Sequence, residues 1–147
     1  MSFLKRRRVS VDANLLMAAV AYKSKIMPEV IDKVCKRDTL VISNIIMFQC
    51  TRQSLKKKCN LAAEEISDAI FAMNPEVVMV DILPVEELSK RYSIRDESDL
   101  ETLYSIDMSD TEIFLTGDDD FYDPIRPPTG VSVRFMRPRE CFDEGDE

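Results

Sequence analysis

Histidine is absent from the 147-residue chain. That removes Ser-His-Asp and Cys-His nucleophilic catalysis, imidazole general bases and every His-ligated metal site. Glycine is nearly as scarce: Gly117, Gly130 and Gly145 stand far apart, so neither a Walker A loop nor a GxGxxG dinucleotide loop can be written anywhere. The four cysteines, Cys35, Cys50, Cys59 and Cys141, form no CxxC pair, and no apolar run reaches signal-peptide or membrane-spanning length. The expectation is a reduced, cytoplasmic protein that meets no membrane. Cys50 and Cys59 are expected to be small buried hydrophobes and the methionines Met17, Met27, Met47, Met73 and Met79 to fill apolar faces. Basic residues are outnumbered as well, 20 Lys and Arg against 27 Asp and Glu, for a net charge of −7. This sign argues against a general polyanion binder, because phosphate contacts come mainly from Lys and Arg. Hydrolytic chemistry here must rest on carboxylates.

What is present is an alternation of strands and helices. Val9–Val11 reads as a strand leading into Asp12, and Asn14–Tyr22 turns helical in period. A helix over Pro28–Lys36 precedes a buried strand at Thr39–Ile42, and Ser43 is placed to cap the helix that follows. Asn60 is placed to cap another helix running through Ile66 and Ile70 to Phe71. A third strand over Val77–Val80, a helix over Val85–Arg91, a helix from Asp99 through Ile106 and a fourth strand over Ile113–Thr116 come next. After a proline-rich loop, Val131–Phe135 alternates as a fifth strand and Pro138–Phe142 suits a last helical turn. The pattern predicts one three-layer α/β sandwich over residues 1–142, with a parallel sheet of about five strands, and an acidic tail over 143–147.

In an open parallel sheet, ligands bind beyond the carboxyl ends of the strands where strand order reverses. Asp12 directly follows strand one and Asp118 strand four, with Asp119 and Asp120 beside it; Asp96, Glu97 and Asp99 precede the helix that feeds strand four. Carboxylates brought together repel and raise one another's pKa, and a hard, oxygen-seeking cation, Mg²⁺ or Mn²⁺, relieves this. Asp and Asn also cap helices, so Asp12, Asn14 and Asp99 have a purely structural alternative. The run Asp118-Asp119-Asp120 suggests the signature of aspartate-nucleophile phosphatases, but Tyr122 stands where a threonine or valine is required.

Five stretches in order, Val11-Asp12-Ala13-Asn14, Val41-Ile42-Ser43, Asp96-Glu97-Ser98-Asp99-Leu100 with Leu103, Phe114-Leu115-Thr116-Gly117-Asp118-Asp119-Asp120-Phe121 and Arg137-Pro138-Arg139-Glu140-Cys141-Phe142, resemble the PIN domain of VapC-like toxins across nearly the whole chain. The resemblance implies a Mg²⁺- or Mn²⁺-dependent endoribonuclease, with the toxin of a toxin–antitoxin pair as one role, an antitoxin protein as partner and a homodimer as assembly. It places Asp12, Asp99 and Asp118 as catalytic, metal-binding acids, Asp120 as an auxiliary ligand, and Asn14 and Thr116 in support. The sequence departs from the pattern at Gln49, where the family has a glutamate. An amide offers an oxygen without charge, so the competing expectation is a catalytically impaired PIN module that binds RNA or protein. The basic run Lys5, Arg6, Arg7, Arg8 is the candidate grip on the RNA backbone, with a solvated arm as its alternative. Lys56–Lys58 suits the end of a helix.

Overall fold

The computed structural model describes residues 6–55 and 59–144. Lys5, Lys56–Lys58 and most of the acidic tail lie outside the described residues. Five parallel strands, β1 (Arg8–Val11), β2 (Thr39–Ser43), β3 (Glu76–Val78), β4 (Ile113–Leu115) and β5 (Arg134–Met136), form one sheet in the order β3-β2-β1-β4-β5. The helices are α1 (Ala13–Val20), α2 (Met27–Arg37), α3 (Asn44–Leu55), α4 (Ala63–Phe71), α5 (Val85–Arg91), α6 (Leu100–Met108) and α7 (Pro138–Asp143). Successive residues of a strand point to opposite faces. Val9, Ser10 and Val11, Leu40 to Ser43, and Ile113 to Leu115 are nevertheless all buried, so both faces of the sheet are covered by helices. This is the three-layer α/β arrangement read from the sequence.

Strand ends are set by partners rather than by apolar runs. β3 stops at Val78 because its neighbour β2 gives way to α3 at Asn44. The Asn44 side chain then takes over the pairing, accepting from the Val80 amide at 2.8 Å and donating to the Val80 carbonyl at 3.0 Å. Met79 is consequently exposed. β5 lies three residues later than the alternation suggests, since it can pair only along the short β4, in the register Ile113↔Arg134 to Leu115↔Met136. The helix start that diverges by more than one residue is that of α4, which begins at Ala63 and not at an Asn60 cap, with the Ala62 amide satisfied by Glu65 Oε1 at 3.1 Å. Ser43 does cap α3, with its hydroxyl accepting from the Ile46 amide at 3.2 Å. At the C-terminus α7 continues through Asp143, and Glu144 is drawn back onto Arg7 at 2.5 Å. The core is centred on Phe114, whose ring packs against Phe121 and Phe135 at centroid distances of 5.5 and 6.3 Å.

Candidate metal centre

Strand order reverses between β1 and β4: β2 and β3 lie on one side of β1, while β4 and β5 lie on the other. The two strands remain joined one residue past β1, where the Asp12 amide donates to the Leu115 carbonyl at 2.8 Å. A cavity of about 390 Å³ opens there, walled by Asp12, Asn14, Gln49, Arg52, Asp99, Thr102 and Asp118 among others. Asp12, Asp99 and Asp118, up to 106 positions apart in sequence, thus face one space.

Each acid reaches that space by a local device. Asp12 is the N-cap residue of α1 by position, but makes no hydrogen bond of capping geometry. Its Oδ2 instead accepts from the Thr116 hydroxyl at 2.7 Å. The same Thr116 oxygen accepts from the Asp118 amide at 3.1 Å, so one buried threonine ties the ends of β1 and β4 together. Asp118 Oδ1 in turn accepts from the Asp120 amide at 2.9 Å. Asp99 precedes α6 and also leaves that helix uncapped by its side chain. Its Oδ2 is buried and has no hydrogen-bond partner among the described residues. The capping alternative therefore does not account for the Asp99 carboxylate, whereas the Asp12 carboxylate also meets the Ala13 and Asn14 amides at the start of α1.

The three consecutive aspartates diverge. Asp118 faces the cavity. Asp119 points to solvent and pairs with Arg137 at 2.9 Å. Asp120 lies with Asp96 and Asp99, and oxygens of these three carboxylates fall within 4.8 Å of one another. Tyr122, which breaks the phosphatase signature, closes the strand end by donating to the Thr116 carbonyl at 2.8 Å beneath the Arg137 guanidinium.

Crowding of like charge follows. Asp99 is pushed up to about 7, first by burial and then by the charges of Asp118, Asp96, Asp12 and Asp120. Burial also raises Asp12, with Asp118 adding to it, while the Thr116 hydroxyl pulls it back. The donors facing the cavity are carboxylate, amide and hydroxyl oxygens, which suit a hard divalent cation. The orphaned Asp99 oxygen is the kind of ligand atom such an ion satisfies. An acid whose folded pKa lies above its unfolded value stabilises the fold fully below about pH 4, and that contribution disappears as pH rises through about 7. In EDTA, the Asp99 contribution to thermal stability is thus expected to fall between about pH 4 and pH 8. The increase in Tm on adding Mn²⁺ should be larger at about pH 8 than at about pH 5, because protons compete for the same oxygens. Melting curves with and without the ion check this; a Mn²⁺ effect independent of pH contradicts it.

Gln49 lines the cavity, with its amide nitrogen donating to the buried Thr102 hydroxyl at 3.1 Å. That bond turns the uncharged amide oxygen away from Thr102. Gln49→Glu adds a charge at this wall and is expected to tighten Mn²⁺ binding about tenfold, since hard-cation affinity follows ligand charge count. Calorimetric titration of both proteins measures it. Equal or weaker binding by the variant means that position 49 does not reach the ion. Asn14 is also on the wall, accepting from Gln53 at 3.4 Å.

The described part of the basic run, Arg6 to Arg8, goes elsewhere. Arg6, Arg7 and Arg8 stand at the amino ends of the strands, opposite the cavity, and are engaged with the protein itself. Arg6 donates to the Asp38 carbonyl at 2.5 Å, Arg7 pairs with the buried Asp38 carboxylate at 2.9 Å, and Arg8 pairs with Glu76 and donates to the Ser109 carbonyl. A run of cations just before a strand is spent on the loops that precede the neighbouring strands. The cations near the acids are Arg52 on the cavity wall and Arg95, which reaches Asp120 at 3.5 Å. The sequence reading missed both. Helical spacing offered a signal for Arg52, three residues after Gln49 and hence on the same face of α3.

No protein-family model matches the chain, and no curated protein does. Solved structures do. VapBC2 from Rickettsia felis, bound to a DNA fragment from their promoter, shares 13% identity over 88% of this chain and 98% of its own, with a TM-score of 0.59. PAE2754 from Pyrobaculum aerophilum shares 14% identity over 92% of this chain and 93% of its own, with a TM-score of 0.53. At such identities the likeness speaks to the fold alone: the chain has a PIN-like α/β fold.

Proposed function

We propose that the protein is a divalent-metal-dependent endoribonuclease, with Asp12, Asp99 and Asp118 holding Mg²⁺ or Mn²⁺ and Asp120 assisting. The observation that carries this is the convergence of three carboxylates on one cavity, one of them with a buried oxygen left without a partner. A divalent ion bound there supplies Lewis acidity, lowering the pKa of water and neutralising charge that develops on a phosphodiester. The protein's part is positioning. Thr116 fixes the Asp12 carboxylate and the start of the Asp118 turn, the 3₁₀ turn at Glu97–Asp99 presents Asp99, and Arg52 on the rim offers a cation to the RNA backbone. With no histidine in the chain, no imidazole competes for the role of base.

The likeness to VapBC2 supports extending the proposal to the toxin of a toxin–antitoxin pair, with an antitoxin protein as partner and a homodimer as assembly. Four unpaired cysteines suit the reducing cytoplasm. Among the described residues no helix is long and apolar enough to cross a membrane. A second reading, a PIN-like module that binds RNA or protein without cleaving it, is favoured by one feature alone, the uncharged Gln49 in the cavity wall. Incubating single-stranded and structured RNAs with the protein in Mn²⁺, Mg²⁺ or EDTA separates the two. Cleavage that requires the ion is expected, whereas RNA binding without cleavage in either ion assigns the chain to the second reading.

A further inference from the structure

A second cavity, of about 400 Å³, lies beside the acidic one and shares Glu97 and Leu100 with it as a common wall. Its cations are Arg95 and Arg126, and Ser89 and Ser93 also line it. The backbone holds these groups in place. Ser93 and Thr129 exchange amide–carbonyl hydrogen bonds at 3.3 and 2.8 Å, fastening the proline-rich loop to the chain just after α5. Gly130 permits that contact: at φ +95° it lies so close to the Arg91 carbonyl and the Tyr92 ring that a Cβ would clash with both. Asp123 completes the fastening. Its Oδ1 accepts from the amides of Ile125 and Arg126 at 2.9 and 3.2 Å, and its Oδ2 faces Arg95 at 3.6 Å. One carboxylate thereby sets both arginines on the same cavity.

The two arginines are placed differently toward a ligand. Arg126 is exposed and its guanidinium forms no ion pair among the described residues. Arg95 is 58% exposed and bridges Asp120 and Asp123 at long range, 3.5 and 3.6 Å, so it spans from the acidic cluster to the second cavity. Glu97 is the anion in the lining, on the side toward the acids.

We propose that this second cavity is a phosphate subsite for the RNA strand, in which Arg126 and Arg95 hold a backbone phosphate flanking the one presented to Asp12, Asp99 and Asp118. The inference rests on the ribonuclease reading and specifies how an acidic protein holds its polyanionic substrate: two arginines beside the acids, in place of the basic run at the N-terminus. Such a contact positions the strand without reading its sequence.

The test uses Arg126→Ala, Arg126→Lys and the parent protein, with Lys36→Ala as a control. That control removes an equal charge from the exposed end of α2, which leads into the amino end of β2 and lines neither cavity. Binding of a labelled single-stranded RNA oligonucleotide is followed by anisotropy in Mn²⁺ at low temperature over a series of salt concentrations. Arg126→Ala is expected to weaken binding about fivefold at about 0.1 M salt and to flatten the slope of log affinity against log salt by about 0.7, as loss of one single-strand phosphate contact requires. Arg126→Lys should recover most of the affinity, Lys36→Ala should behave as the parent, and Mn²⁺ affinity should be the same in all four. Unchanged affinity and slope in Arg126→Ala overturn the subsite while leaving the ribonuclease reading intact. An equal loss of Mn²⁺ affinity overturns it too, since the effect then runs through the acidic cavity. A parent protein that binds no RNA overturns both readings.

Discussion

Asp118→Asn is expected to lose RNA cleavage by at least about 100-fold while keeping its fold. The substitution separates charge from structure unusually well at this position. Asp118 Oδ1 accepts from the Asp120 amide at 2.9 Å, and its own amide donates to Thr116. An asparagine retains both hydrogen bonds. What disappears is one negative charge facing the cavity and its repulsion of Asp99 and Asp12, both of whose pKa values it raises. Circular dichroism should therefore be unchanged, and the variant without added metal should be at least as stable as the parent above about pH 7, because less like charge is confined there. Cleavage assays with Mn²⁺ and calorimetric titration of the ion provide the measurements. An unaltered rate in a folded Asp118→Asn protein removes this acid from the machinery.

Arg7→Ala is expected to destabilise the protein by about 3 kcal/mol without changing its affinity for RNA. Asp38 is only 3% exposed and receives a forked pair of hydrogen bonds from Arg7, at 2.9 and 3.3 Å. Without Arg7 the buried carboxylate keeps, among the described residues, only the Arg37 guanidinium, at 3.9 Å. Arg7 also holds Glu144 at 2.5 Å, which draws the end of α7 back over the sheet. Removing one partner of a buried charge costs more than the pair is worth, because the other charge stays behind unpaired. For a chain of this length the corresponding fall in Tm is about 10 °C. Differential scanning calorimetry and anisotropy on the same samples test both halves of the statement. An unchanged Tm with weakened RNA binding returns Arg7 to a nucleic-acid role.

The layers of this fold were legible because its signal is carried by residues that are buried whatever their neighbours do. Apolar stretches such as Leu40-Val41-Ile42 and Ile113-Phe114-Leu115 read as strands covered on both faces, and parallel strands joined by helices leave few alternatives. That Asp12 and Asp118 would line one cavity was legible for the related reason that the carboxyl ends of such strands form the crevice of the sheet, and Asp99 joins them from the turn ahead of α6. Strand ends were less so. Whether Met79 and Val80 extend β3 depends on the Asn44 side chain, and where β5 starts depends on the length of β4. Both are pairings between distant residues, invisible to local periodicity. The roles of individual cations were the least legible. A run of arginines looks the same in sequence whether it faces a polyanion or closes the amino edge of the sheet, and only the fold shows Asp38 and Glu76 waiting for Arg7 and Arg8. Arg95 and Arg126 carry no pattern at all, and Arg52 only its helical spacing from Gln49, although the fold places them around the acids.

A divalent cation held by Asp12, Asp99 and Asp118, as proposed, would be seen in anomalous diffraction from crystals soaked in Mn²⁺. A peak is expected inside the cavity at the switch point between β1 and β4, within ligand distance of the Asp99 oxygen that lacks a partner, and no such peak in crystals of Asp118→Asn soaked at the same concentration. Density for the ion only on exposed carboxylates outside the cavity, or equal occupancy in parent and variant, contradicts it.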